Sequence, residues 1–509
     1  MSRMKREFSC DQYYKSNGGK ILVAAIHFGT TYSGYAFSFS YDSKNHPLNI
    51  RMSCFTGPTH SCSIKAPTAV LFDARKRFHS FGYEAEDKYY ELAAENEHRD
   101  WYFFRNFKMK FCIEKAGIAD ENLTIVLESE AASIYCQAID LERDRRFATI
   151  HAGTKYMVID LEGSTVDITV HEKQSNDGLK ELFKASGGSW FSTKVDEEFY
   201  QLIISVVGEE VFRKFCNEYT EYYLDLQREL EIKKQIQKST GTISLKVPAC
   251  FHDIYKKEKG KDIQTAVRES KYDGKIAWLR DKIRMDNDVW NGFFKPCCDN
   301  IVRHISYLLD GMAVKGTSVF LMVGGISNCE IIQNAVKNAF PSVKIIIPER
   351  AEEAVLKGSV IFGHRPLAIT SCVSKYTYGI CTSPLFDSSI HPEFRRVTIN
   401  GKDRCRDVFK TYIYAGENVR VGDARSGKHS TLWPRQKEMK LKMYVSTRPN
   451  PMYVDENDTE YIGDVVVHLP ESDELSVVYV KMIFGETELM VVATELSQHI
   501  RYSAFFDFL

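Results

Sequence analysis

The chain has 509 residues, of which 44% are hydrophobic and 27% charged, with a net charge of −1. This length predicts more than one hydrophobic core. The balanced charge argues against an overall field for nucleic acid or an anionic membrane, and no apolar run is long enough to span a bilayer. We therefore expect a cytoplasmic protein with no nucleic-acid partner and no membrane span.

The cysteines and the first residues support this expectation. Thirteen cysteines are scattered along the chain without a CxxC pair. This spacing predicts reduced thiols rather than a metal site or a disulfide framework. Residues 1–20 are polar and charged, and they lack the apolar core of a signal peptide.

Two stretches of the chain resemble each other, namely Ile21–Phe39 and Tyr156–His171. Each has an apolar, β-branched run, then a turn of small and hydroxyl-bearing residues, then a second strand pattern. Each is typical of a β-hairpin with a glycine at its tip. A hairpin used twice predicts a duplicated, two-lobed α/β fold.

The rest of the chain shows helical and then strand-like patterns. Tyr222–Gln237 and Asp281–Leu309 have helical periodicity, and Val319–Ser327 reads as a buried strand that ends in a Gly-Gly turn. After about Leu367, short alternating segments separated by turn signals predict a small β-sandwich.

Tips rich in glycine, serine and threonine expose backbone N–H groups and hydroxyls. Two such tips facing each other would hold a di- or triphosphate from opposite sides. A carboxylate at a strand end, such as Asp160, would hold the waters around Mg²⁺. The candidate phosphate contacts are Gly29, Thr30, Thr31, Gly163, Ser164, Thr165, Gly187 and Gly188.

Several ordered phrases resemble the 70-kDa heat-shock protein family, within the actin-like ATPase superfamily, and most closely its atypical member 12 branch. They extend from about residue 20 to residue 365, with a looser match beyond. The phrases are Phe28-Gly29-Thr30-Thr31, Phe78-His79-Ser80-Phe81-Gly82-Tyr83, Glu130-Ala131-Ala132-Ser133, Thr165-Val166-Asp167-Ile168-Thr169, Lys184-Ala185-Ser186-Gly187-Gly188 and Val323-Gly324-Gly325.

This resemblance implies roles for individual residues, with ATP and Mg²⁺ as cofactors. Glu128 would take the place of the catalytic glutamate, and Asp160 would lie near the metal. Thr30, Thr31, Gly187 and Gly188 would approach the phosphates. The residues implied at the nucleoside end of the site are Glu231, Lys234, Gly324, Gly325 and Glu352.

Departures from the family pattern predict a degenerate ATPase. His27 stands where the family has an aspartate, and Glu162 and Ser164 flank Gly163 where the family has three glycines. An imidazole offers Mg²⁺ no carboxylate, and the negative charge of Glu162 would repel phosphate. Gln235 replaces a stacking arginine.

The resemblance also indicates a gap and sets domain boundaries. The family has a long segment between the positions that correspond to Lys110 and Ala116, where this chain has only a short connection. A core segment of the family near residues 111–116 is therefore predicted to be absent. We expect a polar N-terminal tail (1–19), a first actin-like lobe (20–152), a second lobe (153–365) and a β-rich C-terminal domain (366–509).

Three classes of function remain open on this fold. The first is a nucleotide-binding, chaperone-like or regulatory protein with weak or lost ATPase activity, acting in the stress response on protein clients that the sequence does not identify. The second is a non-hydrolysing interaction scaffold. The third is another enzyme on the same fold, such as a sugar kinase.

Overall fold

The computed structural model describes residues 3–6, 21–56, 62–107, 123–140, 150–163, 165–175, 178–235, 241–365, 368–485 and 488–507. Helices and sheets are mixed along the chain, which confirms the predicted α/β class. The segment near 111–116 lies outside the described residues. The short strand β1 (Arg3–Arg6) falls within the predicted tail and pairs with the last strand of the chain.

The described residues between 21 and 140 form three small sheets and three α-helices. The sheets have the orders β2-β3-β4, with β7 also paired to β3, then β10-β8-β9, and β5-β6. The elements are β2 (Leu22–Phe28), β3 (Tyr32–Phe39), α1 (Ser40–Asn45), β4 (Arg51–Met52), β5 (Phe55–Thr56), β6 (Cys62–Ser63), β7 (Ala66–Pro67), β8 (Ala69–Phe72), β9 (Phe78–Phe81), α2 (Tyr83–Ala94), β10 (Tyr102–Arg105) and α3 (Glu128–Asp140).

The first hairpin, β2–β3, has one covered face and one bare face. Successive side chains of a strand point to opposite faces. Ala25 and Ala36 are therefore buried against Leu356 and Val360, whereas Ile26 on the other face is 72% exposed. Among the described strands, β2 pairs with β3 alone and forms the end of its sheet.

Residues 150–365 are built around a seven-stranded sheet of order β18-β17-β11-β12-β13-β19-β24. The elements are β11 (Lys155–Glu162), β12 (Thr165–Lys173), β13 (Leu179–Gly188), α4 (Ser192–Val207), α5 (Glu209–Glu218), α6 (Thr220–Gln235), β14 (Ile243–Lys246), α7 (Cys250–Lys259), α8 (Ile263–Glu269), β15 (Ile276–Leu279), β16 (Lys282–Met285), α9 (Asn287–Leu309), β17 (Val319–Val323), α10 (Glu330–Ala339), β18 (Lys344–Ile346) and α11 (Ala354–His364).

The second hairpin, β11–β12, lies in the middle of this sheet and is buried on both faces. Met157 and Ile159 belong to the hydrophobic core on one side of the sheet. Tyr156 and Val158 belong to the core on the other side. Such continuous burial explains the nearly unbroken apolar run of β11, since a strand covered on both faces has no polar side.

Residues 368–507 are almost entirely strands. They form a five-stranded sheet, β1-β30-β29-β28-β25, and a four-stranded sheet, β23-β20-β26-β27, while β19 and β24 join the seven-stranded sheet. The strands are β19 (Ile369–Val373), β20 (Thr377–Thr382), β21 (Arg396–Ile399), β22 (Lys402–Cys405), β23 (Val408–Ile413), β24 (Asn418–Arg420), β25 (Ala424–Ser430), β26 (Glu438–Ser446), β27 (Thr459–His468), β28 (Val477–Phe484), β29 (Glu488–Glu495) and β30 (Arg501–Asp507).

The cysteines depart in one place from the expectation drawn from their spacing. Cys54 forms a disulfide bond, so the prediction that all the thiols are reduced is wrong at this residue. Nine other described cysteines form no disulfide bond. Burial raises the pKa of the Cys136 thiol to about 12, which leaves it largely protonated and unreactive at neutral pH.

Candidate functional site

The tips of the two hairpins lie against each other. Gly163 closes the second hairpin with a positive φ of 55°, a conformation that glycine adopts without steric cost. A Cβ at this position would come within 2.7 Å of the Thr31 Oγ1 atom on the first tip. The two sequence repeats therefore meet in space, as their resemblance suggested.

A cavity of about 370 Å³ opens beside the two tips. This volume falls in the usual range of small-molecule sites. Six predicted site residues contribute to its wall, namely Thr31, Gly163, Glu231, Lys234, Gly325 and Glu352. The wall also includes Tyr32 at the start of β3, Ser63 in β6, Lys65 before β7, Tyr83 at the start of α2, and the residues Phe191 and Asn328.

A cluster of charged side chains adjoins the cavity, and two of its members, Glu162 and Lys65, contribute to the wall. The His27 Nε2 atom lies 3.2 Å from Glu128 Oε1 and 3.4 Å from Glu162 Oε2. The other oxygen of Glu162 forms an ion pair with Lys65 Nζ. Two of the departures seen in the sequence, His27 and Glu162, are thus direct neighbours, and a lysine partly compensates the charge of Glu162.

Asp160 lies beneath this cluster and is fully buried. Neither of its carboxylate oxygens has a hydrogen-bond partner among the described residues. Burial raises the pKa of Asp160 well above its usual value, and the carboxylates of Glu162 and Glu128 raise it further. Gly324 packs directly on it, because a Cβ there would lie 2.6 Å from Asp160 Oδ1.

A second charged group lies where α4 and α6 meet. Lys234 is buried, and its Nζ atom donates to Asp196 Oδ1 and to Glu231 Oε1, each at 2.7 Å. Burial raises the pKa of Asp196 to about 6, against the opposing effect of Lys234. Lys234 lies in the cavity wall as expected, but both carboxylates already compensate its charge.

Other predicted site residues do not line the cavity. Gly187 and Gly188 lie in β13, opposite Asp167 and Val166 of β12. A Cβ on Gly187 would lie 1.7 Å from the Val166 carbonyl oxygen, so the packing of the two strands accounts for this glycine. Gly29, Thr30 and Thr165 are near the tips but outside the cavity wall, and Ser164 lies outside the described residues.

Lys65 and Asp196 are functional candidates that sequence reasoning missed. Lys65 precedes the short strand β7 and is buried. A buried lysine needs a partner, but its partner Glu162 is 97 positions away in the chain. Asp196 lies on α4 directly before Glu197 and Glu198, so nothing in the local sequence sets it apart as the partner of Lys234.

A clasp of polar contacts joins α2 to α6 beside the cavity. Arg228 Nη2 lies 2.9 Å from Asp87 Oδ1 and 3.5 Å from Glu86 Oε2. The Tyr90 hydroxyl donates to Asp225 Oδ2 at 2.9 Å. These contacts connect the part of the chain before residue 140 to the part after residue 150.

Comparisons with known proteins cover almost the whole chain. No protein-family model matches it. The chain is 27% identical to human heat shock 70 kDa protein 12B over 628 aligned residues, covering 96% of this chain and 91% of that protein. It is 26% identical to human and to mouse heat shock 70 kDa protein 12A over 622 aligned residues, covering 96% of this chain and 92% of each.

The aligned lengths add a further observation. An alignment of 628 residues is longer than the 509 residues of this chain. The relatives therefore have residues inside the matched region that have no counterpart here. No described helix is both long and apolar enough to cross a membrane.

Proposed function

We propose that this chain, which belongs to the member 12 branch of the 70-kDa heat-shock proteins, binds a nucleotide in the cavity and hydrolyses ATP very slowly or not at all. The similarity to proteins 12A and 12B confirms the predicted branch. Nucleotide binding in general follows from that similarity. ATP as the nucleotide, lost hydrolysis and a chaperone-like or regulatory role in the stress response are the proposal.

The observation that carries the proposal is the contrast between the two ends of the cavity. The end near Glu231, Lys234 and Gly325 keeps the residues that the resemblance assigns to the nucleoside. Beside the hairpin tips, where the resemblance places the phosphates, the wall residues Glu162 and Lys65 pair with each other, and Glu162 also contacts His27. The cavity can therefore hold a nucleoside, while the residues near its phosphates do little to stabilise the transferring phosphoryl group.

Catalysis of phosphoryl transfer depends on positive charge and on metal ions held by oxygen ligands. Mg²⁺ requires octahedral oxygen coordination, and the described residues fit this requirement badly because His27 stands between the carboxylates. Lys65, the nearest cation, is already paired with Glu162. We therefore expect nucleotide affinity to change little when Mg²⁺ is removed.

In the proposed organisation, residues 20–152 form the first actin-like lobe, residues 153–365 the second and residues 366–509 a β-rich domain, in the cytoplasm. The contact between Thr31 and Gly163 supports a cleft between two lobes.

A non-hydrolysing interaction scaffold is the second candidate. The ion pairs of Lys65 and Lys234 favour the scaffold. Carboxylates already pair with both lysines, so neither offers an uncompensated positive charge to a phosphate.

Turnover and binding assays on the purified chain test the proposal. We expect a fluorescent ADP analogue to bind, ATP turnover to stay at background, and EDTA to alter affinity by less than about twofold. Glu162→Gln removes the negative charge and releases Lys65, so it should tighten ATP binding by about tenfold, or 1.4 kcal/mol. Glu172→Gln, at the far end of β12, is the matched control.

Two results would contradict the proposal in different ways. Ordinary chaperone-like turnover that is abolished by Glu128→Gln would show that catalysis is intact. Absence of nucleotide binding by both the wild type and Glu162→Gln would favour the scaffold.

A further inference from the structure

We propose that His27, Glu128 and Glu162 bind a divalent transition-metal ion, with Zn²⁺ as the best fit. The three side chains come from β2, from the start of α3 and from the end of β11. The site goes beyond the proposed function, because it does not require a bound nucleotide. The argument rests on the distances between the ligand atoms, on their hydrogen bonding and on one buried carboxylate.

The spacing of the three ligand atoms suits a tetrahedral ion. The ligand atoms of His27, Glu128 and Glu162 all lie within 4.8 Å of one another. His27 Nε2 is 3.2 Å from one carboxylate oxygen and 3.4 Å from the other. Zinc bonds of about 2.0–2.2 Å in a tetrahedron place neighbouring ligands about 3.3–3.6 Å apart. The two distances from His27 therefore already match those of a tetrahedral zinc site.

Hydrogen bonding within the cluster is incomplete without a cation. One imidazole nitrogen carries at most one proton, yet two carboxylates face His27 Nε2. Glu162 Oε2 has no hydrogen-bond partner among the described residues, and neither has His27 Nδ1. A proton on Nδ1 would leave the Nε2 lone pair free, and a cation between the three atoms would satisfy Glu162 Oε2.

Asp160 is the independent observation that points to a cation. It is 2% exposed, and neither oxygen has a partner in the described part of the chain. It precedes Glu162 by two residues on β11, so both side chains leave the same face of that strand. A buried carboxylate without a partner is costly, and a cation held by Glu128 and Glu162 would offset its charge.

The donor set selects the type of ion. Imidazole together with carboxylate suits zinc and related transition metals, whereas Mg²⁺ prefers oxygen ligands alone. The ion pair from Lys65 engages Oε1 of Glu162 and leaves Oε2 directed at His27. Lys65 would thus orient a ligand from outside the metal's own coordination sphere.

Metal titrations on the EDTA-treated, nucleotide-free chain test this proposal. By calorimetry we expect one Zn²⁺ per chain, with much weaker binding of Mg²⁺, and a higher melting temperature with Zn²⁺ because the ion ties three elements together. Co²⁺ as a spectroscopic probe should give a visible spectrum without thiolate-to-metal charge transfer. His27→Ala and Glu162→Gln should each weaken Zn²⁺ binding by at least about tenfold.

His252→Ala is the matched control, since His252 is a partly exposed histidine that pairs with Asp262. It should bind Zn²⁺ as the wild type does. Equal Zn²⁺ affinity in the wild type and His27→Ala, a thiolate band in the Co²⁺ spectrum, or no stoichiometric binding would each overturn the proposal. If His27→Ala does not fold, His27→Asn provides the same comparison with a polar side chain. A failure of nucleotide binding would leave these outcomes unchanged.

Discussion

The two hairpins share a sequence pattern but differ in their surroundings. Ile26 in β2 and Ile159 in β11 occupy matched positions, each immediately before the polar residue of the site, His27 or Asp160. Ile26 is 72% exposed and Ile159 is fully buried. A local pattern thus predicts a hairpin and the location of its tip, while the burial of its outer face depends on the strands and helices that surround it.

The strand neighbours explain this difference. β11 has β17 on one side and β12 on the other, and β13 extends the sheet further. β2 has only β3 as a neighbour among the described strands. The first sheet therefore covers β2 less fully than the seven-stranded sheet covers β11.

The largest effect that we expect from this contrast comes from the two matched isoleucines. Ile159→Ala removes buried methyl groups and leaves a cavity, which costs about 3–4 kcal/mol of unfolding free energy. Ile26→Ala should cost less than about 0.5 kcal/mol, as exposed substitutions usually do. Denaturant titration of both variants measures the difference. Similar losses for both would mean that the outer face of β2 is covered in solution.

A pH dependence from Glu181 is the next largest effect. Glu181 lies in β13 and accepts a hydrogen bond from the Val373 N–H at 2.6 Å. Burial raises its pKa to about 7. Because the folded pKa lies above the ordinary value, the stabilisation from protonation is fully present below about pH 4.5. It is lost as the pH rises through about 7.

The variant Glu181→Gln removes this titration while keeping the shape of the side chain. The unfolding free energy of the variant should exceed that of the wild type most strongly above pH 7.5. This difference should fall by up to about 3 kcal/mol as the pH is lowered to 4.5. Urea titrations of both proteins across this range measure it. A constant difference between the two proteins would show that Glu181 titrates normally.

The smallest effect concerns the clasp between the two regions. Arg228→Ala removes the contacts with Glu86, which is buried, and with Asp87, which is about half exposed, while Arg228 itself is partly exposed. Such pairs contribute about 0.5–1 kcal/mol, so release of a bound fluorescent ADP analogue should be roughly two- to fivefold faster. Salt should diminish the difference.

Lys88→Ala is the control for the clasp, because Lys88 pairs with Glu91 within the same helix, α2. Its nucleotide release should match that of the wild type. Faster release from Lys88→Ala would mean that the loss of any positive charge near the cavity speeds release, whether or not the contacts between α2 and α6 are kept.

The sequence predicted the α/β class and the two hairpin tips because both follow from local patterns. It also indicated that His27 and Glu162 depart from the family pattern. Their mutual contact, and the pairing of Glu162 with Lys65, depend on residues more than ninety positions apart, which no local pattern reports. Gly187 was assigned to phosphate, but its contact with Val166 gives it a packing role that a glycine motif alone does not distinguish.

The bare face of the first hairpin has a practical consequence. Leu22, Ile26 and Tyr35 are all exposed, and Tyr35 packs edge-on against Phe55 with ring centroids 6.1 Å apart. An apolar face beside a strand edge promotes association between copies of a chain, and no described strand covers this edge of β2. Protein concentration therefore becomes an experimental variable, and light scattering over a dilution series should accompany every binding and stability measurement.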